Sequence, residues 1–235
     1  MVELLCATAA MVPAIEPTAR APFTWISVAE LMRRGMLTLQ YQTPVRPGEP
    51  SEVPDGQIIL TLDAVMRDVS PAELTPSDVQ RNIVVRPGDV IVPQLMHLTQ
   101  RPVVRVIQEG GPVLGLRLSL LRVDPDRLDP YFVAGFLGSS ANLRNTVTST
   151  MGSRPQADVR RAELPLLALD EQRAYGETFR RLAGFTSALR EAAAAGEDML
   201  RLLTDSLTLG NVQPALPGPR DGAGVRLPES LPHRD

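Results

Sequence analysis

Side chains able to read or hold a nucleic acid gather in two polar segments of this chain. The first is Gln94-Leu95-Met96-His97-Leu98-Thr99-Gln100-Arg101. Glutamine can pair with adenine edges and arginine with guanine edges in a major groove, so Gln94, His97, Thr99, Gln100 and Arg101 form a candidate base-reading set. An ordinary solvated loop has the same composition. The second segment holds Thr148, Ser149, Ser153, Arg154 and Gln156, with Arg160 and Arg161 close behind. Hydroxyl, amide and guanidinium groups of this kind contact phosphates, and Gly152 would let a backbone approach closely. A solvated surface accounts equally well for Arg160-Arg161.

Catalytic chemistry has less support. Asp129-Pro130-Tyr131-Phe132 is similar to the [Asn/Asp]-Pro-Pro-[Tyr/Phe] loop with which amino-methyltransferases hold a base amine. The second proline is missing, and no glycine-rich strand–turn–helix for S-adenosylmethionine precedes it. Asp-Pro also opens helices for capping reasons alone. No serine or cysteine stands in a recognisable nucleophile frame, and His97 and His233 are far apart. With Cys6 as the one cysteine, neither a disulfide nor a zinc cluster can form within the chain. No catalytic residue, cofactor or metal is expected.

The elements that must position these groups come from a chain of 235 residues, 43% hydrophobic but only 4% aromatic, so aliphatic packing dominates any core. Every basic residue is arginine, and the net charge of −3 argues against a histone-like binder while allowing local basic surfaces. No apolar run approaches a membrane span. Residues 1–15 look faintly like a signal peptide but lack a basic start and carry Glu3, so a cytoplasmic protein is expected.

Residues 1–22, with three prolines, read as a flexible leader or junction. Ser27-Val28-Ala29-Glu30 has capping-box spacing for a short helix ending at Gly35. Leu37, Leu39 and Tyr41 alternate with polar residues as in a half-buried strand. Residues 43–56 read as a proline-rich loop. Strands are expected at 57–62, 83–85, 89–92, 103–107 and 113–123, with Gly110-Gly111 as a hairpin turn. Ser70-Pro71-Ala72-Glu73 suits a brief helical turn. Asp129-Pro130 starts a helix through Leu137, and a second covers 141–146.

From Asp170 to Leu209 the pattern is helical and free of proline. Phe179, Leu182, Thr186, Leu189, Ala193, Gly196, Leu200, Leu203 and Leu207 recur at alternating three- and four-residue spacing. A 3.5-residue repeat is the seam of a coiled coil, which makes these residues a candidate dimer interface. At 1.5 Å per residue the helix would span about 55–60 Å. The expected architecture is α+β: a compact domain at 23–169 with mixed β-sheet and short helices, one long coiled-coil helix at 170–209, and a disordered tail at 210–235.

Several of these segments, in this order, resemble the specificity subunits of type I restriction–modification systems. Val85-Arg86-Pro87-Gly88-Asp89-Val90-Ile91-Val92 resembles their hydrophobic Gly-Asp strand. Leu121-Arg122-Val123-Asp124, followed by Leu128-Asp129-Pro130-Tyr131-Phe132 and Phe136-Leu137-Gly138-Ser139, resembles their strand-then-helix segment. Met151-Gly152-Ser153-Arg154 resembles the loop after it. Leu164-Pro165-Leu166 and Leu169-Asp170-Glu171-Gln172 resemble the approach to the family's long helix. The match covers residues 23–209.

The resemblance implies a non-catalytic target-recognition domain for double-stranded DNA, working with a methyltransferase (modification) subunit. The family's full subunit has two such domains, each followed by a helix; this chain has room for one of each. It therefore resembles a half-subunit that self-associates through 170–209, or the recognition region of a fused adenine-specific DNA methyltransferase. A protein-only assembly module built on the helix is the rival reading.

Overall fold

The computed structural model describes residues 23–67, 72–73, 79–94, 103–148 and 156–214. The expectations for 1–22 and for the tail from 215 onward fall outside these residues. The fold is α+β.

Its centre is a four-stranded antiparallel sheet ordered β2 (Leu37–Tyr41), β8 (Leu118–Val123), β5 (Val90–Pro93), β6 (Arg105–Val106). Successive side chains of a strand face opposite sides, so the sequence of β8, Leu-Ser-Leu-Leu-Arg-Val, supplies both faces. Leu121, opposite Val90, joins Leu37, Val92, Phe132, Val133, Leu137 and Leu164 in one core. Leu118 and Leu120, the latter opposite Ile91, join Leu60, Ala64, Val65, Ile83, Val85 and Leu114 in a second.

The first core is covered by helices. Helix α1 (Val28–Arg33) starts at Ser27, whose Oγ accepts the Glu30 N–H at 3.2 Å. Half of the expected capping box is thus present; the Glu30 carboxylate turns to Arg34 at 2.7 Å and to Arg33. The Arg34 hydrogen bond, aided by both positive charges, holds its pKa below the usual value. Helices α3 (Pro130–Leu137) and α4 (Ser140–Thr146) lie where the sequence puts them. The 3₁₀ turn Val159–Arg161 leads into β11 (Glu163–Pro165), which pairs antiparallel with β1 (Trp25–Ser27). A small antiparallel pair, β9 (Val147–Thr148) with β10 (Gln156–Ala157), frames residues 149–155.

The second core is covered by α2 (Leu62–Arg67) and a three-stranded sheet. In it β3 (Ile58–Leu60) pairs antiparallel with β4 (Ala72–Glu73) and parallel with β7 (Val113–Leu114). Three local expectations are corrected here. Ala72–Glu73 is strand rather than helical turn, because β3 offers it a free edge. The 57–62 run is strand only to Leu60, and Leu62 begins a helix. Residues 83–85 make a single bridge, Val84 to Val113, while Ile83 and Val85 turn into the core.

The 113–123 strand breaks into β7 and β8 at a turn where Arg117 has φ +63°. A Cβ on Gly115 would lie 2.4 Å from the Leu60 carbonyl oxygen, so the backbones touch where the chain changes sheets. Gly110-Gly111 joins no hairpin, since β6 and β7 belong to different sheets. These glycines let the chain pass the 85–87 turn: a Gly110 Cβ would meet Pro87 Cδ at 2.9 Å, and the Gly111 N–H donates to Val85 O at 3.1 Å.

The chain divides into two compact units, one ending at Leu189 and the other beginning at Arg190, and α5 (Leu169–Thr208) runs from the first into the second. Its first turns belong to the domain's packing: Gln172 and Gly176 are buried. In the second unit Met199, Leu200, Leu202, Leu203 and Leu207 are exposed along the helix. The helix closes at Gly210, with φ +72°. No helix among the described residues is long and apolar enough to cross a membrane.

Candidate nucleic-acid interface

The first polar segment follows β5 in sequence, and the residues just before β5 anchor that strand. Arg86-Pro87-Gly88-Asp89 is a turn with proline second and a left-handed glycine third (φ +85°), the pattern of type II. The Asp89 N–H donates to Arg86 O at 3.1 Å, and Asp89 Oδ2 accepts the Arg86 N–H at 2.8 Å. The β5–β8 register, carried one residue past Val90–Leu121, sets Asp89 against Arg122. They form a bidentate pair, Nε to Oδ1 at 2.8 Å and Nη2 to Oδ2 at 2.6 Å. Asp89 is 1% exposed, so this carboxylate depends on its partner. The bonded carboxylate raises the pKa of Arg122, which stays charged. Arg122 Nη2 also donates to Val84 O at 3.0 Å.

At the other end of β5 stands Gln94. Its N–H donates to Arg117 O at 2.8 Å, and its side-chain amide donates to Leu118 O at 3.2 Å and Ser119 Oγ at 3.4 Å. Gln94 is therefore fixed where the candidate base-reading segment leaves the sheet. His97, Thr99, Gln100 and Arg101 lie outside the described residues. On the return, Arg105 Nε donates to Val65 O at 3.1 Å, and the Ile107 N–H donates to Asp89 O at 2.9 Å. Exposed Arg117, beside Gln94, was not a sequence candidate. Nothing in the sequence but Gly115 hints at the turn that brings it there.

Of the second segment, Ser153 and Arg154 lie outside the described residues, and Gln156 is in β10. Arg160 is bound to its neighbour Asp158, Nε to Oδ1 at 2.8 Å and Nη2 to Oδ2 at 3.1 Å. Those bonds lower the pKa of Asp158 and raise that of Arg160. The guanidinium is thus oriented, with 59% of its side chain exposed.

Asp129 has a structural duty. Its Oδ1 caps α3, accepting the Phe132 N–H at 2.8 Å, and α5 crosses against it. A Cβ on Gly176 would lie 2.0 Å from that oxygen. Gln172 fastens the same junction. Its Oε1 accepts the Asp129 N–H at 3.2 Å, and its Nε2 donates to Leu167 O at 3.0 Å and Arg127 O at 3.4 Å.

The candidate seam residues fall in both units. Phe179 packs edge-on against Phe136 of α3, ring centres 5.4 Å apart, in a cluster with Phe23, Trp25, Phe132 and Tyr175. Leu182 is partly covered, Thr186 gives its hydroxyl hydrogen to Leu182 O, and Leu189 is exposed. Beyond them Ala193, Leu200, Leu203 and Leu207 are all exposed.

Neither a family model nor a curated protein matches this sequence. Three solved structures are similar to it in fold. One is from work on complex assembly and conformational transition of the type I R-M system, with a TM-score of 0.49 and 21% identity, covering 86% of this chain and 48% of that one. The HsdS subunit from Thermoanaerobacter tengcongensis gives 0.45 and 19%, covering 87% and 49%. The S subunit of a type I restriction-modification system from M. genitalium gives 0.44 and 15%, covering 82% and 46%. The chain spans about half the length of these structures.

Proposed function

We propose that this chain is a non-catalytic, sequence-specific DNA recognition subunit of a cytoplasmic restriction–modification or DNA methylation system. The domain binds one part of a double-stranded target. The helix holds it at a set distance from a second domain, carried by another copy or a longer subunit, and offers a surface to a methyltransferase subunit. Methyl transfer belongs to that partner.

The carrying observation is how the segments of the sequence resemblance fasten to one another. The Gly-Asp strand and the strand before α3 are joined by Asp89–Arg122. The start of α3 and the start of α5 are joined by Gln172 and Gly176. The sheet thereby ends at Gln94, next in sequence to residues 95–102, and the first turns of α5 are pinned to the domain, while leucines beyond Leu189 are exposed. Rigid scaffolds with variable connecting segments suit recognition.

The test is purification of the tagged chain from its native host, identification of the co-eluting chains, and competition between a selected target and random duplex at fixed salt. A co-eluting methyltransferase and a sequence preference that shifts on substitution of Gln94, Gln100 or Arg101 are expected, at about 1–3 kcal/mol per lost base contact. An assembled complex without sequence preference would overturn the reading in favour of a protein-only assembly module.

A further inference from the structure

Next to the Asp89–Arg122 pair, on the sheet face of the second core, lies a shallow groove of about 260 Å³. Its polar lining is Gln40, Glu52, Arg81, Asn82, Arg86 and Arg122. None of the sequence candidates is among them. From this groove we infer a binding site for a phosphate of a nucleic-acid backbone, a contact that rests on the DNA reading above and extends it to a second surface.

Three guanidinium groups face one carboxylate in the lining. Arg122 is neutralised by Asp89, but Arg81 and Arg86 form no ion pair among the described residues. A groove with two uncompensated guanidinium groups, one carboxylate in Glu52 and the neutral amides of Gln40 and Asn82 attracts a monoanion such as a phosphodiester. Guanidinium forks match phosphate oxygens in pairs, and the amides add donors.

The positions of the arginines are fixed by the fold. Gln42, 5% exposed, grips the backbone of Arg81: its Nε2 donates to Arg81 O at 2.6 Å and its Oε1 accepts the Arg81 N–H at 2.9 Å. The same amide donates to Leu114 O at 3.0 Å, so a buried glutamine on the strand end sets where Arg81 stands. Arg86 is held through its own N–H by Asp89. Between them Ile83 and Val85 point into the core, which turns Asn82, Val84 and Arg86 outward together. With these backbones fixed, it is side chains that remain to be ordered on binding. Arg81, Asn82 and Arg86 are all exposed, so the groove suits a polymer backbone lying across it better than a small molecule enclosed by it.

The experiment measures binding of the full chain, in its assembled complex, to the selected duplex and to random duplex across a salt series. The parent is compared with Arg81→Ala, Arg86→Ala and the double variant; both side chains are exposed, and circular dichroism checks the fold. Affinity should fall several-fold for both duplexes alike. The slope of log K against log salt should shrink by about one per lost phosphate contact. Unchanged affinity and slope in the double variant would overturn the groove while leaving the DNA reading standing. A changed sequence preference at unchanged slope would overturn it too, because the arginines would then read bases.

A second arm titrates the chain with inorganic pyrophosphate and follows the arginine Nε–H signals by NMR. Perturbation of Arg81 and Arg86 that the duplex reverses by competition supports the site. Perturbation that duplex leaves untouched, or none, overturns it. If the parent binds no duplex in any complex, the DNA reading fails, and the groove as a backbone site fails with it; the pyrophosphate arm then shows whether a free-anion site remains.

Discussion

Gln172, on the first turn of the long helix, accepts the backbone N–H of Asp129, the residue that caps α3. One buried amide thus fixes the helix to the domain through both its oxygen and its nitrogen. Gln172→Ala should lower stability by about 1–3 kcal/mol, because the Asp129 N–H and the Leu167 carbonyl lose their partner at a buried site. Urea unfolding followed by circular dichroism reads this; an unchanged midpoint would refute it.

Two glycines of the same helix should respond in opposite directions. Alanine normally stabilises a helix interior relative to glycine by about 1 kcal/mol. At Gly196 a Cβ meets nothing within 4 Å, so Gly196→Ala should follow that rule. At Gly176 it would collide with Asp129 Oδ1, and Gly176→Ala should cost about 1–3 kcal/mol. Thermal melts of the two variants, side by side, decide the point.

Arg122→Ala should be among the most damaging single changes to the domain. It leaves the Asp89 carboxylate buried without its cation, a situation that costs about 3–5 kcal/mol. Asp89→Asn, which keeps an oxygen for the Arg86 N–H, should cost less. A denaturation series that ranked the two in the reverse order would show that the turn depends on the Asp89 charge more than on its partner.

Acid should weaken the 3₁₀ turn through Asp158. Arg160 holds that carboxyl below its ordinary value of 3.8, so its contribution is fully present above 3.8 and is lost as pH falls through the lower, folded value. Asp158→Asn should therefore narrow the stability gap to the parent as pH falls below 3.8, and leave the widest gap near neutrality. Melting temperatures from neutral pH downward give the test. A gap independent of pH would mean that the cap alone matters.

The proposed assembly role of the helix predicts that Leu200→Asp weakens self-association at least tenfold, about 1.4 kcal/mol, without unfolding the domain. Sedimentation equilibrium of parent and variant compares them. A parent that stays monomeric at micromolar concentration would rule out pairing of copies and leave a different subunit as the helix's partner.

What the sequence made legible was local. Asp129-Pro130 announced α3 because a cap and an N-terminal proline act within a few residues, and Leu37, Leu39 and Tyr41 announced β2 by alternation. The Val113–Val123 run read as one strand because both of its halves are strand; the break at Arg117 answers to Leu60, far away in the chain. For the same reason Ala72–Glu73 followed its partner β3 rather than its own helical signals. In the candidate site, Gln94 could be singled out by residue type. Arg81, Arg86 and Arg117 could not, since an arginine's relevance depends on whether a carboxylate stands opposite, and pairing across strands is set by register.

The pairing of β1 with β11 has a consequence for synthesis. Trp25 lies opposite Pro165, so among the described residues the first strand is matched by the last. On the ribosome, β1 must wait until nearly the whole domain has been made, and such distant contacts are slow to close. The long helix is the next element to emerge. Its first turns, with Tyr175 and Phe179, then meet an α3 surface that has only just been completed. A chain interrupted before Pro165 would leave Ile26 and the aromatic ring cluster uncovered, so stalled or truncated products of this protein should be caught by chaperones and proteases rather than accumulate as free domains.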